Sequence, residues 1–246
     1  MIRNDIDDDT VRQARVDLAA AHRMAVLDNL NEGTWNHLSV AVPGQAGRMF
    51  VTPAAHHWRQ VTAGNLVTVE TDGSAVGDAR YDRSAYNIHH PIHQARSDAV
   101  CILHAHPPYA TALSMIEGGR LEMADQNALA LYGRIAYDDD YDGFILDPAQ
   151  TGRLIEAIGD ARALVLRNHG VLVVGPTVAE AYCDLYQLER ACYFQHIAAG
   201  FGGRLAKVPP EVGHAAARDA DLSGYKLDHF AAMKRLLDAE QPDYLS

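Results

Sequence analysis

Histidines placed where apolar runs end are the residues best suited to chemistry in this sequence. His104 and His106 are separated by one residue, and because a strand points alternate side chains to the same side, both imidazoles can converge on one cation. His169 stands where a second apolar run gives way to Gly170. Three histidines leave coordination positions open for water or substrate, as catalytic metal sites require. The sequence therefore predicts one divalent ion at His104, His106 and His169, and imidazole chemistry leaves Zn, Mn and Fe open.

Other histidines compete with this set. His89 and His93 are spaced by four residues on a predicted helix, and His56, His57 and His90 add further imidazoles. A helical histidine pair without a third ligand nearby is more often a packed or solvated face than a metal site. We therefore interpret His89 and His93 as part of a packed or solvated helix face.

The elements that must position these residues follow from hydrophobic periodicity and turn signals. A plausible N-cap, Thr10, precedes the first apolar-periodic segment, and acidic residues at 138–142 and a polar stretch after residue 199 indicate loops. No repeat or linker is evident, so we expect one domain, residues 1–246, with helices packed on the faces of one sheet. The predicted helices are 10–30, 84–96, 107–115, 148–158, 177–199 and 227–239, and the predicted strands are 38–42, 49–52, 66–70, 99–104, 163–166 and 171–174.

Composition excludes several classes of partner. The chain has 246 residues, with 21 basic and 32 acidic side chains and a net charge of −11, which repels nucleic acid and anionic membranes. The first ten residues lack the basic and apolar regions of a secretory signal, and no apolar run approaches the length of a membrane span. Three cysteines without CxxC spacing fit reduced thiols. We therefore expect a cytoplasmic protein that binds neither nucleic acid nor membrane.

The order of motifs resembles the class II aldolase and adducin head-domain superfamily, from the first helix to about residue 199. This resemblance implies a three-layer α/β/α fold with a mostly antiparallel central sheet, and it implies His104, His106 and His169 as metal ligands. It also implies a C4 homotetramer with active sites between neighbouring subunits. The segments that carry it are 33–40 (GTWNHLSV), 50–53 (FVTP), 104–113 (HAHPPYATAL) and 166–172 (LRNHGVL), with Ala179-Glu180-Ala181 and Leu188-Glu189.

Two departures from the aldolases it resembles narrow the reaction. Their Ser-Ser-Glu motif, whose Glu is a metal-associated acid/base, is matched here by Arg83-Ser84-Ala85. Alanine can neither transfer a proton nor bind a metal, which argues against the usual aldol mechanism. Ala54-Ala55 also replaces a common Ser-Gly pair, so a carboxylate substrate is favoured over a phosphate, with Arg83 available as a bidentate clamp.

These features favour a carbon–carbon lyase, specifically a decarboxylase of a small aromatic, hydroxy or keto carboxylic acid. Loss of CO2 needs an electron sink, which a cation supplies by stabilising an enolate-like intermediate. It then needs a proton, which His37, a metal-bound water or a tyrosine could supply. The candidate catalytic residues are Asn36, His37, Arg83 and Ser84. The alternatives are an aldolase or dehydratase acting on a sugar-derived substrate, a three-histidine iron oxygenase, and a non-catalytic adducin-like binding domain.

Overall fold

A seven-stranded sheet forms the middle of the molecule in the computed structural model, which describes residues 8–141, 143 and 148–246. The strand order is β3-β2-β1-β4-β7-β6-β5, and every neighbouring pair is antiparallel except β5 with β6. The strands are β1 (His37–Ala41), β2 (Met49–Val51), β3 (Val67–Val69), β4 (Cys101–Ala105), β5 (Ile135–Asp138), β6 (Ala163–Leu166) and β7 (Gly170–Gly175).

Helices cover both faces of this sheet. The helices are α1 (Asp8–Leu27), α2 (Arg83–Ala95), α3 (Pro108–Ser114), α4 (Gln126–Ala130), α5 (Pro148–Ile158), α6 (Val178–Gly200), α7 (Pro210–Leu222) and α8 (Tyr225–Glu240). The helices α2 and α5 pack together on one face, and α1, α3 and α6 pack on the other. None of the helices described is both long and apolar enough to cross a membrane.

The strands alternate between two apolar cores, as a sheet covered on both faces requires. In β4, Leu103 contributes to the core under α1 and α6, whereas Ile102 contributes to the core under α2 and α5. The three-layer α/β/α prediction and the mostly antiparallel sheet are therefore confirmed. The same alternation directs His37 and Ser39 of β1 away from the α1 side and toward α2.

Three elements were missing from the sequence-based prediction. The short helix α4 and nearly all of the strand β5 lie between residues 116 and 137, for which no element was predicted, and α7 lies in the stretch taken as polar. Asp138 ends β5 with 6% exposure instead of standing in an acidic loop, and Asp142 lies outside the described residues. The first helix begins at Asp8, so Thr10 lies inside it and is not an N-cap.

The helix α2 continues through Pro91, which cannot donate a backbone hydrogen bond. The carbonyl of Asn87 therefore cannot accept the usual helical hydrogen bond from residue 91. The hydroxyl of Thr151, on the neighbouring helix α5, donates to that carbonyl at 2.7 Å. The contact compensates for the missing N–H of Pro91, and α2 continues to Ala95.

Candidate metal centre

The register of two neighbouring strands brings three histidines together. β4 and β7 are antiparallel, with Ala105 opposite Val171, so the end of β4 lies beside the start of β7. His104 is within β4, His106 is one residue beyond it, and His169 directly precedes β7. Their ring centroids lie 5.0, 4.9 and 4.8 Å apart, and one nitrogen from each ring lies within 4.8 Å of the other two.

Hydrogen bonds fix which nitrogen faces the centre of this triangle. His104 donates from Nδ1 to the carbonyl of Val171 at 3.1 Å, and His106 donates from Nδ1 to the carboxylate of Glu32 at 2.6 Å. Both residues therefore keep Nε2 for coordination. The Nε2 of His106 is buried without a partner within the described structure. A divalent ion would satisfy this orphaned nitrogen, so the three residues fit the predicted metal.

Burial keeps the ligands in the protonation state that metal binding requires. Desolvation lowers the pKa of His104 well below its ordinary value, and desolvation followed by repulsion from His106 lowers the pKa of His169 to about 4. Neutral imidazole is the form that coordinates a cation. At neutral pH these two ligands need not lose a proton before they bind a metal.

The turn before β7 is shaped to admit the ring of His106. A Cβ at Gly170 would lie 2.5 Å from Cδ2 of His106 and 2.7 Å from the carbonyl of Ala105, so a larger residue there would displace the ligand. Asn168 has φ of 55°, a left-handed conformation that asparagine tolerates better than most residues, and its N–H donates to Ser114 at 3.1 Å. These two residues make the tight reversal that presents His169.

The loop before β1 supplies a residue that sequence reasoning missed. Glu32 contacts His106 and is held by Asn36, whose Oδ1 accepts from the N–H of Glu32 at 3.2 Å. Asn36 itself has φ of 75° and is 8% exposed. Its Nδ2 is buried without a partner in the described structure, so it can donate to an oxygen atom of a ligand.

Replacing Glu32 with glutamine is expected to weaken metal binding without removing a ligand. The amide can still accept from His106 Nδ1, but it lacks the charge that makes the imidazole a stronger donor, so the affinity should fall by about ten- to a hundredfold. Titration against a competing chelator measures this change. Glu240→Gln, at the exposed end of α8, is the control. Equal affinities in Glu32→Gln and wild type would make the Glu32 contact incidental.

The structure places His37 and Ser84 beside the three histidines. The ring of His37 lies 5.0 Å from that of His104, because the two residues are paired across β1 and β4. Its Nε2 lies 3.1 Å from Ser84 Oγ, and its Nδ1 lies 2.9 Å from Nε2 of His89. Desolvation lowers the pKa of His37 to about 4, with the charge of Asp82 acting in the opposite direction.

Arg83 is directed elsewhere. Its guanidinium donates to the carbonyl of Gly73 at 2.6 Å and to the hydroxyl of Tyr81 at 3.2 Å, and it lies 4.5 Å from the ring centre of Tyr86. These contacts tie it to the connection between β3 and α2, and the structure does not bring it into contact with the histidine cluster. Arg83 as a substrate clamp thus stays a prediction without structural support.

Ala85 also differs from expectation, because its methyl group does not face the cluster. It is fully buried and packs with four apolar residues of β2 and β3, which are Met49, Val51, Val67 and Val69. The resemblance to the aldolases placed this position beside the metal, whereas here it belongs to a core. Its neighbour Ser84 contacts His37 instead.

The competing histidines do not form a second metal site among the described residues. His89 and His93 share a hydrogen bond partner, Ser39 Oγ, at 2.6 and 2.8 Å. His56 lies against the carbonyl of Ala54, and His57 caps the turn that begins at Trp58. The helical pair is therefore packed, as the sequence analysis favoured, but it is connected to His37.

Comparison with known proteins agrees with this geometry. Residues 16–196 match the family model described as "Class II Aldolase and Adducin N-terminal domain". The chain belongs to this family. A crystal structure of an aldolase II superfamily protein from Pseudomonas syringae superposes with a TM-score of 0.88 at 33% identity, covering 100% of this chain and 99% of that one.

Sequence relatives extend the comparison. A protein of Caulobacter vibrioides named for the class 2 aldolases is 32% identical over 237 residues, covering 94% of this chain and 91% of the relative. The decarboxylase NovR of Streptomyces niveus is 28% identical over 239 residues, covering 92% and 88%. The family's class II aldolases use a divalent metal, and the histidine triangle is where this chain could hold one.

Proposed function

We propose that this protein is a metal-dependent decarboxylase of a small aromatic, hydroxy or keto carboxylic acid. The observation that carries the proposal is that three histidines able to hold a metal have no glutamate beside them at the start of α2. The start of α2, where the resembling aldolases have an acid/base glutamate, offers only the hydroxyl of Ser84 and the buried methyl of Ala85. The similarity to the decarboxylase NovR along most of both chains gives independent support.

Decarboxylation suits such a site because it needs no carboxylate base of the kind that the resembling aldolases have at the start of α2. A cation held by His104, His106 and His169 would act as a Lewis acid that takes up the negative charge left when CO2 departs. The chain must then orient the acid and manage one proton. Asn36 Nδ2 is a free buried donor for a substrate oxygen, and His37 is a proton-carrying group in contact with His104.

The proposal is tested by measuring CO2 release from a panel of aromatic and aliphatic hydroxy and keto acids, with Zn, Mn and Fe supplied in turn. We expect metal-dependent release from at least one acid, with or without dioxygen, and none from the metal-free protein or from His106→Ala. The same preparations are assayed for cleavage of fuculose- and ribulose-type sugar phosphates, which we expect to be negligible.

Each alternative predicts a different outcome. Robust sugar-phosphate cleavage without CO2 release would indicate an aldolase, and turnover that requires dioxygen would indicate an iron oxygenase. Protein that binds no metal, even after incubation with Zn or Mn, would indicate an adducin-like binding domain. Any of these results would overturn the decarboxylase.

We further propose that the protein is a homotetramer whose active sites lie between subunits. Two large apolar side chains are exposed near the histidine cluster. Trp35 is 68% exposed in the loop that contains Glu32, and Met115, which follows the residue that accepts a hydrogen bond from Asn168, is 67% exposed. A second copy of the chain would cover them. The C-terminal segment that contains Tyr225 is a candidate contribution to a neighbouring site, although Tyr225 itself is hydrogen bonded to Gln187 of its own chain. Sedimentation velocity should give a tetramer, and an active monomer would contradict the assembly.

A further inference from the structure

A continuous line of hydrogen-bonding side chains passes beside the metal centre at His37 and runs beneath α2. It begins at the carboxylate of Asp82 and ends at the carbonyl of Ala99. Between them lie five groups, Ser84, His37, His89, Ser39 and His93. Successive contacts along the line measure 2.8, 3.1, 2.9, 2.6, 2.8 and 2.5 Å.

The Ala99 end sets the direction of the hydrogen bonds. A carbonyl oxygen can only accept, so His93 must carry its hydrogen on Nδ1. Burial lowers the pKa of His93 to about 4 and that of His89 well below its ordinary value, so both rings are neutral at pH 7. A neutral imidazole with a hydrogen on Nδ1 has a bare Nε2. The hydroxyl of Ser39 must therefore donate to His93.

The same reasoning continues toward the metal centre. Having given its hydrogen to His93, Ser39 accepts from Nδ1 of His89. The Nε2 of His89 is then bare and accepts from Nδ1 of His37. His37 is left with its hydrogen on Nδ1 and none on Nε2.

The Asp82 end makes the opposite demand. A carboxylate can only accept, and Asp82 Oδ1 receives both the N–H and the hydroxyl of Ser84, at 2.9 and 2.8 Å. With all five groups neutral, five hydrogens serve the six contacts, so one contact lacks a hydrogen. The longest contact, 3.1 Å between His37 Nε2 and Ser84 Oγ, is where the two demands meet.

We propose that Ser39, His89 and His93 are positioning residues that hold His37 as its Nδ1–H tautomer, so that its bare Nε2 accepts a proton from the hydroxyl group of a bound hydroxy acid. The role of the hydroxyl rests on the decarboxylase proposed above. The tautomer does not, because it follows from the hydrogen bonds between buried, neutral rings.

The proton balance of this assignment is closed. The hydroxyl proton of the substrate moves to His37 Nε2, which can then donate to Ser84 while Ser84 donates to Asp82, so every contact of the line holds a hydrogen. In an aromatic hydroxy acid, the electron pair of the oxygen then moves into the ring as His37 returns its proton to the carbon that bears the carboxylate. The bond between that carbon and CO2 breaks, its electron pair restores the aromatic ring, and a solvent proton restores the hydroxyl. One acid anion and one proton yield CO2 and the protonated product.

Nitrogen-15 NMR of histidine-labelled, Zn-loaded protein tests the tautomer directly. His37 is identified by the signal missing from His37→Gln, and we expect a pyrrole-type Nδ1 and a pyridine-type Nε2. Ser39→Ala should remove this preference, whereas Ser39→Thr, which keeps the hydroxyl, should retain it. A pyrrole-type Nε2 at His37 in the wild-type protein would overturn the proposal, whether or not either variant folds.

Kinetics with the best acid from the panel separate positioning from mere packing. Ser39→Ala should lower kcat by about tenfold or more, with little change in KM. This is part of the roughly 10²–10⁴-fold rate increase that a positioned proton-transfer group contributes. Ser39→Thr should recover kcat, and Ser74→Ala, at an exposed turn serine, is the control.

The O-methyl ether of the same acid should not turn over, and equal turnover of the ether would refute the role of the hydroxyl. CO2 release from a protein whose His37 carries its hydrogen on Nε2 would refute the positioning role of Ser39, His89 and His93 but not the decarboxylase. The Nδ1–H tautomer without CO2 release from any acid would refute the decarboxylase but not the tautomer.

Discussion

Removing any one of the three histidines is expected to abolish binding of a divalent cation. The variants are His106→Ala, His169→Ala and His104→Asn. Asparagine is chosen at position 104 because its amide nitrogen lies where Nδ1 of histidine lies, so it can keep the hydrogen bond to the Val171 carbonyl while the coordinating Nε2 is lost. The effect should exceed the about ten- to hundredfold loss that follows removal of a residue behind a ligand.

The choice at position 104 matters because the three ligands differ in burial. His104 is 3% exposed in the central strand β4, whereas His106 and His169 are half-buried beyond strand ends. Alanine at 104 would also leave a cavity, so a loss of metal could be confused with a loss of stability. Asparagine reduces that difficulty.

Metal content after purification and the rise in melting temperature on adding Zn or Mn are the two measurements. A cation that binds only the folded protein at about a hundred times its Kd stabilises it by about 2.7 kcal/mol, so the rise should be clear in the wild type and absent from the variants. His214→Ala, at an exposed histidine whose ring meets that of Tyr132 edge-on, is the control. Wild-type metal content in any of the three variants would rule out that residue as a ligand.

The positions of these ligands could be predicted because they depend on local geometry. Alternation along a strand places His104 and His106 together, and a glycine turn before an apolar run places His169 at the start of another. The one thing the sequence could not show is that β4 and β7 are neighbours. The resemblance to a known family provided that step.

The groups around the ligands depend on contacts between distant segments, which no local pattern encodes. Glu32 reaches His106 across 74 positions of the chain, and Ser39 reaches His89 across 50. Helix α2 was predicted, and its histidine pair was correctly interpreted as part of a packed or solvated face. Its connection to His37 required the position of α2 on the sheet beside β1.

The missed helix α7 has a different physical reason. Hydrophobic periodicity finds helices that bury large side chains, and the buried residues of α7 are the small Gly213 and Ala217. The glycine is needed there because a Cβ would lie 2.2 Å from the ring of Tyr132. Close packing of a small residue against an aromatic ring leaves little trace in a hydrophobic pattern.

Ala85 is the position where the resemblance and the structure disagree, so Ala85→Glu distinguishes them. If position 85 bordered the metal, the new carboxylate would raise metal affinity. In the structure it would instead enter the apolar cluster of Met49, Val51, Val67 and Val69 without a partner. We expect no gain in affinity and a loss of stability of roughly 3 kcal/mol or more at neutral pH, as for other buried, unpaired polar groups.

The pH dependence of stability separates charge burial from overcrowding. Burial should raise the pKa of the introduced carboxyl above about 4.3, its value in the unfolded chain, so the folded state binds more protons. The free energy of unfolding of Ala85→Glu should therefore fall as pH rises above that value, and its deficit should be smaller at pH 4.5 than at pH 7.5. Ala85→Met adds similar bulk without charge and should cost about 1–3 kcal/mol at both pH values. Urea denaturation of both variants at the two pH values, together with metal affinity, decides the matter. Higher metal affinity with unchanged stability in Ala85→Glu would place position 85 beside the metal and contradict the packing described above.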